Sequence, residues 1–424
     1  MKQMDLFPEI AEEVTGTSTF GKNMNLPVHR WFRYSAGFSA EWAGSVIAKA
    51  ASDGHTRVLD PFAGSGTTLL AAESLGVASM GVESHPFVSR VARAKLASRS
   101  DPAAYGSFAR KVLAAAKRKS AGSEEYPDLL LKCFHPEVLV ALDNLRLSFD
   151  ELSDESPASE LTWLTLVSVL RSCSHVGTAQ WQYILPNKTK KNVLDPFDAF
   201  KQAVKLFQSD MIRRNELAGP SAKLLEGDAR ECAEVPDRFA TLVITSPPYP
   251  NNYDYADATR LEMTFMREIA GWGDLQESVR KHLVRSCSQH VPEKAINLDK
   301  VLAEPELKPI RSEITEVCRA LGEIRMTKGG KKTYHLMVAT YFHDLARVWH
   351  ALRRSCDSPS RVCFVIGDSA PYGIYVPVVE WMTSLAEAAG FKKDKFVKLR
   401  DRNIKWKNRK HRVPLCEGEL WIAG

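Results

Sequence analysis

Apolar residues recur along the chain with two spacings. Short runs of β-branched and aliphatic residues read as strands: Arg57-Val-Leu-Asp60, Ala78-Ser-Met-Gly-Val-Glu83, Ala222-Lys-Leu-Leu-Glu226, Thr241-Leu-Val-Ile244 and Arg361-Val-Cys-Phe-Val-Ile-Gly367. Between them the spacing changes to the three-and-four repeat of helices. Ser39 caps a run from Ala40 to about Ala51, with Trp42, Val46 and Ile47 on one face. Further helical runs are Leu69–Leu75, a stretch ending near Ile269, Tyr334–Arg354, and Val376–Ala389 stopped by Gly390. Phe391–Arg400 and Glu419–Ala423 read as a closing hairpin. Strands alternating with helices predict an α/β fold: a Rossmann-like, seven-stranded, mostly parallel sheet with helices on both faces and helical insertions.

Two stretches break the alternation. After Glu83 a third strand should come soon, yet from about Ser98 to Pro220 the pattern is helical: Phe108–Lys117, Pro136–Phe149, Glu160–Cys173 and Pro196–Asn215. The second break runs from Gly271 to Lys332 and carries Arg280, Lys281, His282 and Arg285. The expected organisation is a flexible tail over 1–25, a core built from 26–97, 221–270 and 333–424, a helical insertion over 98–220 and a basic helical insertion over 271–332.

Chemistry gathers at the strand ends. Thr241-Leu-Val-Ile244 stops at Ser246-Pro247-Pro248-Tyr249. Two prolines offer no N–H and disfavour helix in the residue before each, so a rigid turn ends a central strand. Open α/β sheets bind ligands at that edge. Arg57-Val-Leu-Asp60 runs into Pro61-Phe62-Ala63-Gly64-Ser65-Gly66-Thr67-Thr68 and then a helix. Gly64 and Gly66 allow positive φ and a close backbone approach, and the helix N-terminus attracts an anionic group. Asp60 and Phe62 would add a hydrogen-bonding group and an aromatic face. The stretch is neither a Walker loop nor a GxGxxG fingerprint, and Val193-Leu-Asp-Pro-Phe197, which repeats its opening, lacks the glycines. Glu83 follows Asp60 by about 20 residues, the spacing of a carboxylate that grips ribose hydroxyls.

Together, Asp60-Pro-Phe-Ala-Gly-Ser-Gly-Thr67 and Ser246-Pro-Pro-Tyr249 resemble the amino-group DNA methyltransferases that use S-adenosylmethionine (AdoMet). The resemblance covers the core, about half the chain, and not the insertions. It implies the AdoMet-dependent methyltransferase fold, AdoMet as cofactor without a metal, and duplex DNA as partner. It makes residues 60–68 the cofactor loop and Ser246, Pro247, Pro248 and Tyr249 the catalytic tetrapeptide. It adds Phe38 as an aromatic near the methionine part of AdoMet and Asp228 as acceptor for the adenine amine. A leading serine points to cytosine N4 as the methylated amine, with adenine N6 as the alternative. A non-catalytic DNA-binding module on a methyltransferase core is the reading from another class. No Pro-Cys nucleophile of the ring-carbon methyltransferases is present. A role in restriction-modification or phage defence, with a cognate restriction endonuclease, follows from the resemblance alone.

Composition adds little against this picture. With 424 residues, 44% of them hydrophobic, the chain suffices for one large core and added domains. A net charge of +6 suits an anionic partner. Eight cysteines show no zinc or disulfide spacing. No apolar run reaches transmembrane length and no signal-peptide pattern opens the chain, so the expected place is the prokaryotic cytoplasm, at the nucleoid. Three basic stretches are candidates for DNA contact: Trp181–Asn192 with Lys188, Lys190 and Lys191; Thr327–Lys332 with Lys328 and Lys331; and Asp401–Arg412 with Arg402, Lys405, Lys407 and Arg409. For each the plain alternative is a solvated loop. Gln3-Met-Asp-Leu-Phe7 is similar to the peptide with which bacterial proteins dock on the replication sliding clamp; the alternative is that Leu6 and Phe7 pack on the parent fold.

Overall fold

The computed structural model describes residues 20–34, 37–51, 55–120, 125–178, 183–250, 253–291, 293–330, 332–402 and 413–424. Its first elements are α1 (Ala40–Ala50), β1 (Arg57–Asp60), α2 (Thr67–Ser74), β2 (Ala78–Glu83) and α3 (Pro86–Leu96). The helical stretch follows as α4 (Pro102–Ala116), α5 (Asp128–Cys133), α6 (Pro136–Leu152) and α7 (Pro157–Cys173). Then come β3 (Val176–Thr178), β4 (Ile184–Thr189), α8 (Pro196–Arg214), β5 (Lys223–Glu226) and β6 (Ala240–Thr245). After α9 (Arg260–Phe265), α10 (Leu275–Ser278), α11 (Leu298–Ala303) and α12 (Arg311–Thr327), the long α13 (Tyr334–Ser355) leads into β7 (Cys356–Gly367). The chain closes with α14 (Val378–Ala388), β8 (Lys392–Arg402) and β9 (Leu415–Ala423).

The seven-stranded sheet has the order β5-β2-β1-β6-β7-β9-β8. Neighbours from β5 to β7 pair in parallel, and β9 runs antiparallel to both β7 and β8. The order reverses beside β1: one half builds outward to β5, the other to β8. This places the carboxyl ends of β1 and β6 next to each other at the switch point, where a crevice opens in such sheets.

The central strands are apolar on both faces. Val58, Leu242, Ile244, Cys363, Val365 and Trp421 pack against Trp42, Val46 and Ile47 of α1 and Ala71 and Ala72 of α2. Their neighbours Leu59, Val243, Val362, Phe364, Ile366 and Leu420 pack against Leu345 and Trp349 of α13 and Trp381 and Leu385 of α14. One-residue alternation thus feeds two helical layers, and each large side chain buried contributes about 1.5–3 kcal/mol. Ser39 caps α1 as expected, its hydroxyl accepting from the Trp42 N–H at 3.3 Å.

The sequence-based organisation needs three corrections. Residues 20–25, expected in a flexible tail, form a 3-10 turn, and buried Asn23 binds the Phe38 carbonyl at 2.8 Å and the Ala40 N–H at 2.9 Å. Part of 181–192, read as a DNA-contact candidate with a solvated loop as the alternative, pairs as the β3–β4 hairpin. The third core, built on α3 to α8, also gathers Val28, Trp31 and Phe32 from before β1 and Leu261, Leu275 and Leu283 from between β6 and β7, so packing crosses the expected boundaries.

Asp210 of α8 anchors the N-terminal part of that core. It is fully buried and accepts from the Val28 N–H at 3.1 Å, Trp31 Nε1 at 2.8 Å and Arg30 Nε at 3.0 Å, while Trp31 stacks on Phe207 at 4.1 Å. Asp210→Ala leaves a guanidinium and two N–H groups without their acceptor. The expected loss is about 3–5 kcal/mol of unfolding free energy, measured by denaturant titration; a loss under about 1 kcal/mol would show that the anchor is dispensable.

Candidate active site

At the carboxyl ends of β1, β2 and β6 lies an open cleft. Its walls come from three places. The loop after β1 gives Phe62, Ala63, Gly64, Ser65 and Thr67; the end of β2 gives Glu83, Ser84 and His85; the turn after β6 gives Ser246 and Pro248. Tyr34, Gly37 and Phe38 close it from the segment before α1, and Tyr255, Leu283 and Val284 from segments after the turn.

The loop after β1 holds its shape for local reasons. Gly64 sits at φ 53° and Gly66, the N-cap of α2, at φ 86°, where a side chain would strain the backbone. Gly81 of β2 lets the loop lie on the strand: a Cβ there would come within 2.8 Å of Ala63 Cβ and Leu69 Cδ1. Asp60 ties the loop from beneath. Its carboxylate accepts from the Thr68 and Thr245 hydroxyls, each at 2.6 Å, and from the Phe62 N–H at 3.0 Å. Burial nevertheless raises its pKa to about 6. Asp60, expected to offer a hydrogen-bonding group to the cleft, is therefore turned inward, and Pro61, Gly66 and Thr68 brace the loop from outside the cleft lining.

Glu83 stands in the wall. Its two oxygens accept from the Gly64 N–H at 2.7 Å and the His85 N–H at 2.8 Å, and each keeps a lone pair for a ligand hydroxyl. Burial pushes its pKa up to about 7, against the pull of those two bonds. His85 beside it is buried, its Nε2 at 3.0 Å from the Thr259 hydroxyl, and burial lowers its pKa to about 3, so the ring is neutral. Phe38 packs edge-on to Trp42 at 5.4 Å.

Ser246 and Tyr249 share one anchor. The Ser246 hydroxyl donates to the Val365 carbonyl at 3.0 Å, and the Tyr249 hydroxyl to the same oxygen at 3.3 Å. With its proton committed to β7, Ser246 Oγ has only lone pairs left to offer. Pro247 is buried beneath the turn and, like Tyr249, lies outside the cleft lining.

Asp228 follows β5 as expected but is already engaged. Arg230 holds it through Nε at 2.8 Å, and the same guanidinium reaches buried Asp344 of α13 at 3.3 Å. Asp344 also accepts from the Arg285 N–H at 3.1 Å and Nε at 2.8 Å. Arg280 is buried against Asp254 at 2.7 Å, with His290 on the other carboxylate oxygen at 3.2 Å. Arg280 and Arg285, read from the sequence as part of a basic surface, instead pin the strap that carries Leu283 and Val284 to the cleft.

The DNA-contact candidates divide. Lys188 is exposed on β4, Lys191 just after it and Lys328 at the end of α12. Lys190 donates to the Arg171 carbonyl. Arg402 donates to the Asp368 carbonyl at 2.7 Å and lies over the Tyr249 ring at 5.1 Å. Lys331, Lys405, Lys407, Arg409 and the Gln3–Phe7 peptide fall outside the described residues. The sequence reading missed Tyr34, His85, Tyr255, Leu283 and Val284; only His85, two residues past the strand-end glutamate, stood near a recognised signal.

A doubly wound sheet with the reversed strand β9 and a glycine loop and Ser-Pro-Pro-Tyr turn at adjacent strand ends define a methyltransferase fold of the amino-group type. Comparisons with known proteins agree. A family model described as DNA methylase, for N6 and N4 methyltransferases, matches residues 7–94. The chain is 25% identical to the Type II methyltransferase M.BsoBI of Geobacillus stearothermophilus, over 92% of this chain and 85% of that one. It is 24% identical to the Type II methyltransferase M.AvaI of a Nostoc species and of Anabaena variabilis, over 90% of this chain and 82% of each of those. No solved structure matches it. Fold, loops and relatives together support an amino-group DNA methyltransferase. Among the described residues no helix is long and apolar enough to cross a membrane.

Proposed function

We propose that the chain transfers a methyl group from AdoMet to the exocyclic N4 amine of a cytosine flipped out of duplex DNA. The observation that carries this reading is the sharing of one cleft by Ser246, the glycine loop and Glu83. Bound AdoMet supplies an electrophilic methyl on a sulfonium. The residues present suit that molecule: Glu83 for ribose hydroxyls, the Gly64–Gly66 backbone for close approach, and Phe38 for the methionine end.

The chain's own part is to hold the amine. An exocyclic amine is a poor nucleophile because its lone pair is delocalised into the ring. Acceptors on its hydrogens draw the nitrogen toward tetrahedral geometry and stabilise the positive charge that develops. Ser246 Oγ, in the cleft wall, is one such acceptor; the resemblance adds the carbonyl of Pro247, whose ring is packed beneath the turn, as the second. The hydrogen bond to Val365 aims the serine oxygen and keeps it an acceptor. The rigid Pro-Pro turn holds both groups in place, and proximity supplies much of the rate.

The names of the relatives support a restriction-modification role; a partner endonuclease is the part that such a role would add. Lys188, Lys191 and Lys328 would meet phosphate. The test is methyl transfer from labelled AdoMet to unmodified genomic DNA, with RNA and protein in parallel. Label on duplex DNA alone is expected. Label on RNA or protein overturns the substrate, and AdoMet binding without any transfer points to a binding module.

Glu83 also predicts a pH dependence. Accepting from ribose hydroxyls favours the carboxylate, which forms fully only above about pH 7. AdoMet affinity is therefore expected to be about tenfold weaker at pH 6 than on the plateau near pH 8, as read by calorimetry. In the free protein the sign reverses: a raised carboxyl pKa makes ionisation costly, so this group lowers stability as pH rises from the ordinary carboxylate range to about 7. A flat affinity from pH 6 to 8 would remove Glu83 from the cofactor's contacts.

A further inference from the structure

We infer that the β3–β4 hairpin is the element that reads the target sequence, with Asn187 on base edges in the DNA major groove and Lys188 and Lys191 on the phosphates beside it. The inference rests on the proposed function and adds the part of the chain that selects where it acts.

The hairpin is built to project. Thr178 pairs with Ile184 and Gly177 with Leu185, but the neighbouring Val176 pairs with Thr189. Residues 186–188 therefore have no cross-strand partner among the described residues and stand out as a bulge, a device that re-aims side chains. Gly177 makes room for it: a Cβ there would lie 3.3 Å from the Lys188 Cβ and from the Lys188 carbonyl oxygen. Asn187, Lys188 and Thr189 are exposed one after another. A strand with one face on the core buries every second residue, so neither face of β4 packs on the protein here. A two-stranded ribbon of this kind gains little stability by itself.

Its base, in contrast, is held firmly beside the cleft. The Lys190 N–H donates to the His175 carbonyl at 2.9 Å, and the Ser174 hydroxyl to the Cys133 carbonyl at 2.7 Å. The Tyr183 hydroxyl accepts from the Asp254 N–H at 2.8 Å. Tyr183 packs on Tyr253 at 5.4 Å, and Tyr253 on Tyr255 of the cleft wall at 4.5 Å. The bulge is thus fixed relative to the cleft that holds Ser246. Its exposed side chains are an amide and an ammonium, with a hydroxyl next to them and a second ammonium at Lys191. These groups suit a polyanion that also carries hydrogen-bonding edges. The major groove admits a two-stranded ribbon, and an asparagine amide, at once donor and acceptor, matches an adenine edge there.

The test maps the methylated positions on unmodified genomic DNA treated with the parent chain, Asn187→Ala or Lys188→Ala. It then compares duplexes carrying the parent's site with duplexes changed at one base pair of it, following AdoMet affinity and thermal unfolding in each variant. Asn187→Ala is expected to accept sites changed at one particular pair, with discrimination there falling roughly tenfold to a hundredfold. Lys188→Ala should keep the parent's sites and bind all duplexes more weakly. Its slope of log affinity against log salt should be shallower by about one. An Asn187→Ala map identical to the parent's, with undiminished discrimination at every pair, overturns the inference and leaves the proposed function standing. A loss in Asn187→Ala that is equal for all duplexes overturns it too. No transfer by the parent chain removes the proposed function, and this inference with it.

Discussion

Ser246→Ala is expected to cut the rate of methyl transfer by roughly 10²–10³-fold while AdoMet still binds. The serine hydroxyl donates to the Val365 carbonyl, with the Tyr249 hydroxyl alongside it, and that bond uses its proton. Removing Oγ takes away the acceptor aimed at the amine and leaves a buried-strand carbonyl short of one donor. Tyr249 still donates to that carbonyl, so the turn should keep its place. The loss should therefore fall on kcat, with the affinity for AdoMet nearly unchanged. Single-turnover kinetics at saturating DNA and AdoMet make the distinction. A variant with parental kcat would show that the amine needs no acceptor at this position.

Glu83→Ala should act on the other partner. It removes the proposed acceptor for the ribose hydroxyls, and it frees the Gly64 and His85 N–H groups that the carboxylate holds. Hydrogen bonds to charged groups contribute about 1.5–3 kcal/mol each, so AdoMet affinity should fall by at least about a hundredfold. Maximal transfer at saturating AdoMet should suffer far less. Calorimetric titration reads the first and initial rates the second. An affinity within threefold of the parent would place the ribose elsewhere.

The parts of the fold that sequence revealed are those with local causes. β1 and β6 are written as apolar runs, Ser39 is a cap by residue type, and Gly64 and Gly66 take the positive φ that their loop requires. The parts it concealed depend on distant partners. β3 and β4 are short, and the hairpin is fixed through Tyr183 to the segment after the Ser-Pro-Pro-Tyr turn. Leu283 and Val284 belong to irregular chain with no periodicity. They reach the cleft because Arg280 finds Asp254 and Arg285 finds Asp344, pairings that residue spacing does not encode.

Charge was the least legible feature. Arg402 was a candidate phosphate ligand, and Arg280 and Arg285 marked a basic insertion, yet each is spent on an internal partner. The same holds for carboxylates at strand ends. Asp60 and Glu83 look equivalent in sequence, but Thr68 and Thr245 turn the first inward, while the second keeps lone pairs toward the cleft. Asp228 falls between them: it stands after β5 as expected, but an adenine amine would have to share it with Arg230.

An amine held by the Ser246 oxygen would be read directly from the product. DNA lacking the modification, methylated in vitro by this chain, digested to nucleosides and analysed by mass spectrometry, should yield N4-methylcytosine. N6-methyladenine in its place would keep the enzyme class but contradict the reading of Ser246 as the mark of cytosine.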